Sequence, residues 1–340
     1  MSDGYLAYRT ARQNQGQQLE AAIARLTPSV ASLGAAGLLT GPGPVFVGIG
    51  ASLAAACAPV WSLRSRGVHS WRLGAGDHPL PYPASEHPVF AVSQSGRSSE
   101  TLAVLRSVDP RLRHAVVNMT PSPIADVATG VLDIGSIPDS YASTIGYTAT
   151  VAALGMLADA WDGGTPDEGW AGLGALFAAT EKELHEQVRA LAPLFATATS
   201  ADFVGAGPAV GSAEASALLF REVVRIPSTG MSTRQYLHGA MESAGGGVHV
   251  VFGDEREHTV ADTLAAAGHP VVLITAEPVE KRPRLHPVRV PRLPAAQRAV
   301  MEILVAQILV EAVAEVREVE IEEFVFHNSD IKVTTEGPAV

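Results

Sequence analysis

A single cysteine, Cys57, stands in 340 residues, which excludes an intrachain disulfide and a cysteine-based metal site. Charge is scarce as well. Only 17% of residues are charged, and 24 basic against 35 acidic side chains leave a formal net charge of -11. No basic stripe interrupts that balance, so nucleic acid is excluded as an expected partner. One small anion stays compatible, because backbone N–H groups and hydroxyls can hold it without net positive charge. Long apolar runs are missing too. The longest, Ala149 to Trp161, is too short for a bilayer and contains Asp159, so no membrane association is expected. The polar N-terminal stretch has no apolar core of a secretory signal, and a cytoplasmic globular protein is the expectation.

What the chain has instead is 47% hydrophobic residues and a repeat. Val45-Phe-Val-Gly-Ile-Gly50 ends in glycine and leads into a helical stretch, Ser52 to Ser62. Phe203-Val-Gly-Ala-Gly207 does the same before Ser212 to Ile226. Val89-Phe-Ala-Val-Ser93 matches His249-Val-Val-Phe-Gly253. His114-Ala-Val-Val-Asn-Met-Thr-Pro-Ser-Pro123 matches His269-Pro-Val-Val-Leu-Ile-Thr-Ala-Glu-Pro278, with starts 155 residues apart (269 less 114). The opening strands start 158 apart (203 less 45), so order and spacing agree together.

Short runs that are apolar throughout suit strands buried on both faces, hence parallel sheets. Alternation with helices then gives an α/β chain of two doubly wound parallel-sheet domains related by internal duplication. The expected division is a helical segment over 1–40, a first domain over 41–165, a connecting helix over 166–200 and a second domain over 201–320. The tail, 321–340, is expected to close the site. The expected helices outside the repeats are Asn14 to Ser32, Thr148 to Asp162, Pro166 to Phe195 and Ala295 to Val316.

Ser93-Gln-Ser-Gly-Arg-Ser-Ser-Glu-Thr101 follows a buried strand and opens a helix near Glu100. Such a turn aims backbone N–H groups and a helix dipole at one place. Gly96 permits close approach, and five hydroxyls supply neutral donors. The alternative is a serine-rich turn with Ser98 or Ser99 capping the helix. The matching stretch of the second half, Phe252-Gly-Asp-Glu-Arg-Glu-His258, is acidic and would repel phosphate, which predicts one ligand per chain.

Glu222 falls in line with Ala215, Leu218 and Leu219 on the apolar face of its helix, while Glu214, Arg221 and Arg225 share a face open to water. A carboxylate so placed is either ion-paired or raised in pKa, and the second state suits a general base. A structural pair with an arginine is the competing reading. His238 lies sixteen residues on; a lone histidine is often structural, and spacing alone assigns it nothing. The other histidines show no ligand-like spacing, and neither metal nor cofactor is expected.

Ser-Gln-Ser-Gly with hydroxyls beyond it is similar to the phosphosugar motif of the SIS (sugar isomerase) superfamily. More closely, the chain resembles the isomerase half of the glutamine–fructose-6-phosphate aminotransferases, from Val45 to Glu336. Further matching stretches are Gly50-Ala-Ser52, Tyr141-Ala-Ser-Thr144, Arg221-Glu222, His238-Gly239 and His327-Asn-Ser-Asp-Ile-Lys-Val-Thr-Thr-Glu336. The resemblance implies that Ser93, Gln94, Ser95 and Ser98 hold the phosphate and that Ser52, Ser143 and Tyr141 contact the sugar. It implies Glu222 as the C1–C2 proton shuttle, and His238 as a ring-opening group reaching into the neighbouring subunit's site, hence a homodimer.

Departures narrow the chemistry. No glutaminase domain with a nucleophilic cysteine accompanies the motif here. Leu219 stands where the family has a helix lysine, Ile331 stands where it has a tail lysine, and Lys332 follows by one. Ala51 replaces a hydroxyl residue. Loss of the lysine geometry argues against amination and leaves enolisation next to a carbonyl. The expected activity is conversion of a hexose or aminohexose 6-phosphate by ring opening and proton transfer, as isomerase or isomerising deaminase. Dehydration of an N-acetylhexosamine 6-phosphate and deglycation of a fructosamine 6-phosphate use the same proton abstraction and are alternatives. A sugar-phosphate sensor is the non-enzymatic alternative, disfavoured because such regulators carry a helix-turn-helix segment.

Overall fold

The computed structural model describes residues 5–322, 324–326, 328 and 330–333. Residues 327, 329 and 334–336 of the tail motif lie outside them.

Each half builds one five-stranded sheet. The first contains β1 (Val45–Gly48), β2 (Trp71–Gly74), β3 (Val89–Ser93), β4 (Arg113–Val117) and β5 (Gly130–Asp133), in the order β2-β1-β3-β4-β5. The second contains β6 (Ser200–Gly205), β7 (Ser228–Ser232), β8 (Gly247–Phe252), β9 (Val271–Thr275) and β10 (Leu285–Arg289), in the order β10-β9-β8-β6-β7. Matching β6 to β1 and β7 to β2 makes the two orders identical, so the repeat in residues is a repeat in topology. Every strand pairing is parallel. β3 and β8 are buried at every position, as their apolar runs require.

In this strand order the connections from β1 leave toward opposite sides, and a crevice opens beyond the carboxyl ends of β1 and β3. Those ends carry Gly50-Ala-Ser52 and Gln94 to Ser98. In the second half, the ends of β6 and β8 carry Gly207 and Gly253-Asp254-Glu255.

The helices Ile145–Asp159 and Ala295–Val316 occupy the interior between the halves. Every residue from Ile145 to Ala158 is buried, and Ala296 to Ala314 nearly so. A helix apolar all round has no solvent face, and each fully buried Leu, Val or Ile here contributes about 1.5–3 kcal/mol. The buried carboxylates Glu302 and Glu311 in this layer are paired. Glu311 receives Arg9 and Arg12, each at 2.7 Å, and Glu302 receives Ser212 and Arg298 at 2.5 and 2.9 Å.

Several boundaries differ from the expected ones; the first helix is Gln15–Ala35 rather than Asn14–Ser32, and the Ser212–Ile226 stretch is the helix Ala209–Val223. The Ser52–Ser62 stretch is two short helices, Ala51–Ala55 and Cys57–Ser65. The connecting helix starts at Leu173 rather than Pro166, because Gly172 takes a left-handed conformation (φ 87°) and Glu168–Trp170 forms a 3-10 turn. The Thr148–Asp162 helix starts earlier, at Ile145, on a turn organised by Asp139. The C-terminal helix occupies Ala295–Val316 as expected.

The halves are joined through the helix Ala209–Val223, which packs on Ala51–Ala55. Gly211 allows that approach; a β-carbon there would lie 2.7 Å from Cys57 Cβ. Glu214 was expected to face water. It is instead ion-paired to Arg72 of β2, with Nη2 at 2.8 Å from Oε1, so this carboxylate ties the two domains together.

Candidate active site

The loop after β3 is held by its own hydroxyls. Ser93 Oγ lies 3.0 Å from Ser98 Oγ and accepts from the Gly96 N–H at 3.1 Å, and Ser95 Oγ accepts from the Arg97 N–H at 3.3 Å. Gly96 is left-handed (φ 64°), and a β-carbon there would overlap the Ser122 side chain. Only glycine fits both conditions. Ser98 occupies the N-cap position of the helix Ser99–Ser107 without a side-chain capping bond, so its hydroxyl serves the loop rather than the helix. Two of the five expected donors are withdrawn. Thr101 is fully buried, and Ser99 Oγ donates to the Asp330 carbonyl at 3.0 Å.

The tail lies along this loop. Ser98 and Lys332 form an antiparallel bridge, Ser99 N–H donates to Ile331 O at 3.2 Å, and Val333 N–H donates to Arg97 O at 2.9 Å. A cavity of about 260 Å³ is bounded by Gln94 of the loop, Asp139, Tyr141 and Ser143 of the segment before the Ile145–Asp159 helix, and Ile331 and Lys332 of the tail. Lys332 therefore reaches the cavity despite standing one position past the family's lysine. Larger cavities lie elsewhere. One of about 910 Å³ runs between the Leu173–Arg189 helix and residues 277–289, and one of about 400 Å³ adjoins the second-half loop. Neither touches the serine loop.

Asp139 is a residue the sequence reading missed. It is buried, and its carboxylate accepts from Ser140 N–H (2.8 Å), Ser143 Oγ (2.9 Å), Thr144 N–H and Oγ1 (3.0 and 2.6 Å) and Gly146 N–H (2.9 Å). It thereby fixes Ser143 and the start of the buried helix. Because the Ser143 proton goes to Asp139, that oxygen presents lone pairs to the cavity and accepts rather than donates. The signal was available: an aspartate ahead of Ser-x-x-Ser-Thr is a helix-capping pattern.

Glu222 lies near the end of the Ala209–Val223 helix. It is largely buried, no ion pair to it exists among the described residues, and burial alone raises its pKa from 4.5 to about 7. Of the two states its apolar position allowed, the structure has the raised, unpaired one. One turn earlier, Leu218 Cδ2 lies 3.4 Å from where a Gly50 β-carbon would be, so this helix abuts the first glycine loop. The Tyr8 phenol is buried, which raises its pKa, and it donates to Gln307 O at 3.2 Å, while Leu6 N–H donates to Asp139 O at 3.0 Å. Ser52, partly buried in the first turn of Ala51–Ala55, stands on the same glycine loop.

His238 is not brought to this group of residues. It is exposed at the C-terminal end of the short helix Thr233–Leu237, beyond β7, and no described contact joins it to the loop of its own chain. His249, by contrast, is a buried structural residue between Tyr236 Oη (3.0 Å) and Ala244 O (3.2 Å). No group of three metal-ligating side chains occurs among the described residues, nor a helix long and apolar enough to cross a membrane.

Residues 45–160 match the family model of the SIS domain. A search of curated proteins finds no match. Among solved structures, the C-terminal domain of glucosamine-fructose-6-phosphate aminotransferase from Francisella tularensis superposes with a TM-score of 0.81 at 16% identity, over 95% of this chain and 99% of that one. Tagatose-6-phosphate ketose/aldose isomerase from Escherichia coli gives 0.76 at 14% identity, over 91% and 92%. Glucosamine-6-phosphate deaminase from Thermotoga maritima gives 0.71 at 18%, over 91% and 94%. At these identities the likeness is one of fold, and it extends through both halves. Residues 45–160 therefore match an SIS domain, and the second half repeats the same sheet topology.

Proposed function

We propose that this chain is a phosphosugar-converting enzyme that opens a hexose or aminohexose 6-phosphate ring and moves a proton between neighbouring carbons. The phosphate sits at the loop after β3, where Ser93, Gln94, Ser95 and Ser98 and the first-turn N–H groups of the Ser99–Ser107 helix beyond Ser99, whose own N–H goes to Ile331 O, supply neutral donors. Ser52, Ser143 and Tyr141 contact the sugar, with Ser143 accepting from a sugar hydroxyl. Glu222 removes the proton next to the carbonyl as a carboxylate and returns it to the adjacent carbon as the acid. A pKa of about 7 lets it do both near neutral pH. Lys332 borders the reacting end. The exposed position of His238 supports its role in a partner subunit's site, and with it a homodimer.

The observation that carries this reading is Glu222: a desolvated carboxylate without a cation partner among the described residues, on a helix abutting the glycine loop. The names of the structural relatives, an isomerase and a deaminase of sugar 6-phosphates among them, point the same way. The test is a panel of ketose, hexosamine, N-acetylhexosamine and fructosamine 6-phosphates with products read by mass spectrometry. Loss of one water means dehydration, released ammonia deamination, and unchanged mass with new retention isomerisation. Glu222→Gln is expected to retain binding and lose turnover by about 10²–10⁴-fold. A variant that keeps full turnover would refute the assignment, and binding without turnover by the wild type would favour a sensor.

A further inference from the structure

One face of the Ala209–Val223 helix forms the seam with the first half. Gly211, Glu214, Leu218 and Glu222 recur at three- and four-residue spacing and share that face. The first three meet the turn and short helix that follow β1, in reverse order. A β-carbon on Gly211 would stand 2.5 Å from Ala54 O, Glu214 shares Arg72 with Leu53 O, and Leu218 reaches Gly50. The helix therefore runs antiparallel along residues 54 to 50. Its next turn carries Glu222 about 6 Å further along the axis, past Gly50.

Most of this seam is small or apolar. Gly211, Ala54, Cys57, Leu218 and Gly50 approach closely, but apolar contacts carry no direction and do not by themselves set a register. Arg72 supplies the direction. From β2 its guanidinium forks onto both oxygens of Glu214, with Nη2 2.8 Å from Oε1, and Nη1 also donates to Leu53 O at 3.3 Å. One side chain thus joins the edge strand of the first sheet, the short helix bearing Ser52 and the helix bearing Glu222. A planar bidentate contact fixes distance and angle together, which a lysine ammonium does not.

We infer that Arg72 is a positioning residue for Glu222, holding the register of that helix against the turn that carries Ser52. The inference rests on the reading of Glu222 as the proton-transferring group. Glu214 stands about 12 Å along the axis before Glu222, so Arg72 acts through placement and not through contact. A misplacement of about 1 Å costs on the order of 10²-fold in rate. A partly exposed pair contributes little to stability, so such a loss would not be a by-product of unfolding.

The test compares intact wild type with Arg72→Met, Arg72→Lys and Glu214→Gln. The probes are fructose 6-phosphate, glucosamine 6-phosphate, N-acetylglucosamine 6-phosphate and fructosyl-glycine 6-phosphate. Arg72→Met is expected to lower kcat about tenfold or more and to change KM by less than about threefold, because the serine loop follows β3 and makes no bond to Arg72. Arg72→Lys should recover only part of that loss, and Glu214→Gln, which keeps one acceptor for the fork, should lose least. The rise of kcat/KM with pH should keep its midpoint at about 7 in every variant. A kcat within about twofold of wild type in folded Arg72→Met, a KM rise that matches the fall in kcat, full recovery by lysine, or a moved pH midpoint would overturn the inference. Failure of the wild type to convert any of the four probes would instead remove the phosphosugar reading, and the inference with it.

Discussion

At the carboxyl end of β3 stand Ser93, Gln94 and Ser95; at the same register positions of β8 stand Gly253, Asp254 and Glu255. The backbones are equivalent and the chemistry is opposite. In the first half Gln94 O accepts from Asn118 and Met119 N–H, Gln94 borders a cavity, and the Ser93 hydroxyl accepts from Gly96 N–H. In the second, Asp254 accepts from Thr275 Oγ1 and Ala276 N–H, both at 2.8 Å, and is ion-paired with Arg298 from the Ala295–Val316 helix. These contacts, chiefly the Arg298 hydrogen bonds and charge, overcome the effect of burial and hold its pKa well below the usual range. Acidity alone predicted a loop that repels phosphate. The structure gives a fuller reason: the second loop already holds an anion of its own, and its cation is spent on it. The nearby buried acids differ in the same way, since Glu302 has Arg298 and Ser212 whereas Glu222 has no cation partner among the described residues.

Replacing Arg298 with Met should break the saturated side most severely. It leaves Asp254 and Glu302 without their cation, and a loss of about 3–5 kcal/mol in urea unfolding is expected. Sugar-phosphate affinity of the folded fraction should be unchanged. A loss below about 1 kcal/mol would mean that the network contributes little beyond shape.

On the open side, Glu222 should register in pH dependence. Its folded pKa lies above the unfolded one, so the folded state binds the extra proton between about 4.5 and 7. Its relative stabilising effect is complete below the unfolded value and is lost as pH rises through about 7. Glu222→Gln should therefore unfold at higher temperature than wild type at pH 8, by up to about 3 kcal/mol and less as water reaches the carboxylate. The two should converge near pH 4.5. In the wild type, kcat/KM should climb with pH through about 7, as the base ionises. A flat profile across that range would assign the base elsewhere.

Gln94→Asp transplants the second loop's acid into the first without its arginine. Affinity for a hexose 6-phosphate should fall about 100-fold, with like charges facing each other. Unaltered binding would place the phosphate away from Gln94. The smallest effect is expected for Asp139→Asn, which keeps the shape and weakens the grip on Ser143, Thr144 and Gly146 N–H. About 1–2 kcal/mol of stability should go, with a larger fractional rise in KM than fall in kcat. A pure kcat effect would put Asp139 in the chemistry rather than in positioning.

Much of this was legible beforehand. β3, the Ala295–Val316 helix and the presence of two duplicated parallel sheets follow from uninterrupted apolar runs and their recurrence, signals local to the chain. The apolar-face position of Glu222 likewise foretold an unusual carboxylate. Asp139 and Arg298 were not foreseen, because each acts on partners far along the chain or through several short polar contacts without periodicity. Glu214 was misread for that reason; one helix face looks solvated until Arg72 from the other domain is set against it.

By itself the sequence determined the duplicated α/β architecture, the close approach that Gly96 permits and the hydroxyl content of the loop, since strand period, glycine freedom and residue chemistry are properties of neighbours. Tertiary structure decided which hydroxyls stay available and which acid loses its cation. It also laid the tail beside Ser98 and left His238 outside its own chain's site. Those outcomes depend on burial and on pairing between distant residues, where desolvation and charge are set by what packs nearby rather than by what comes next in the chain.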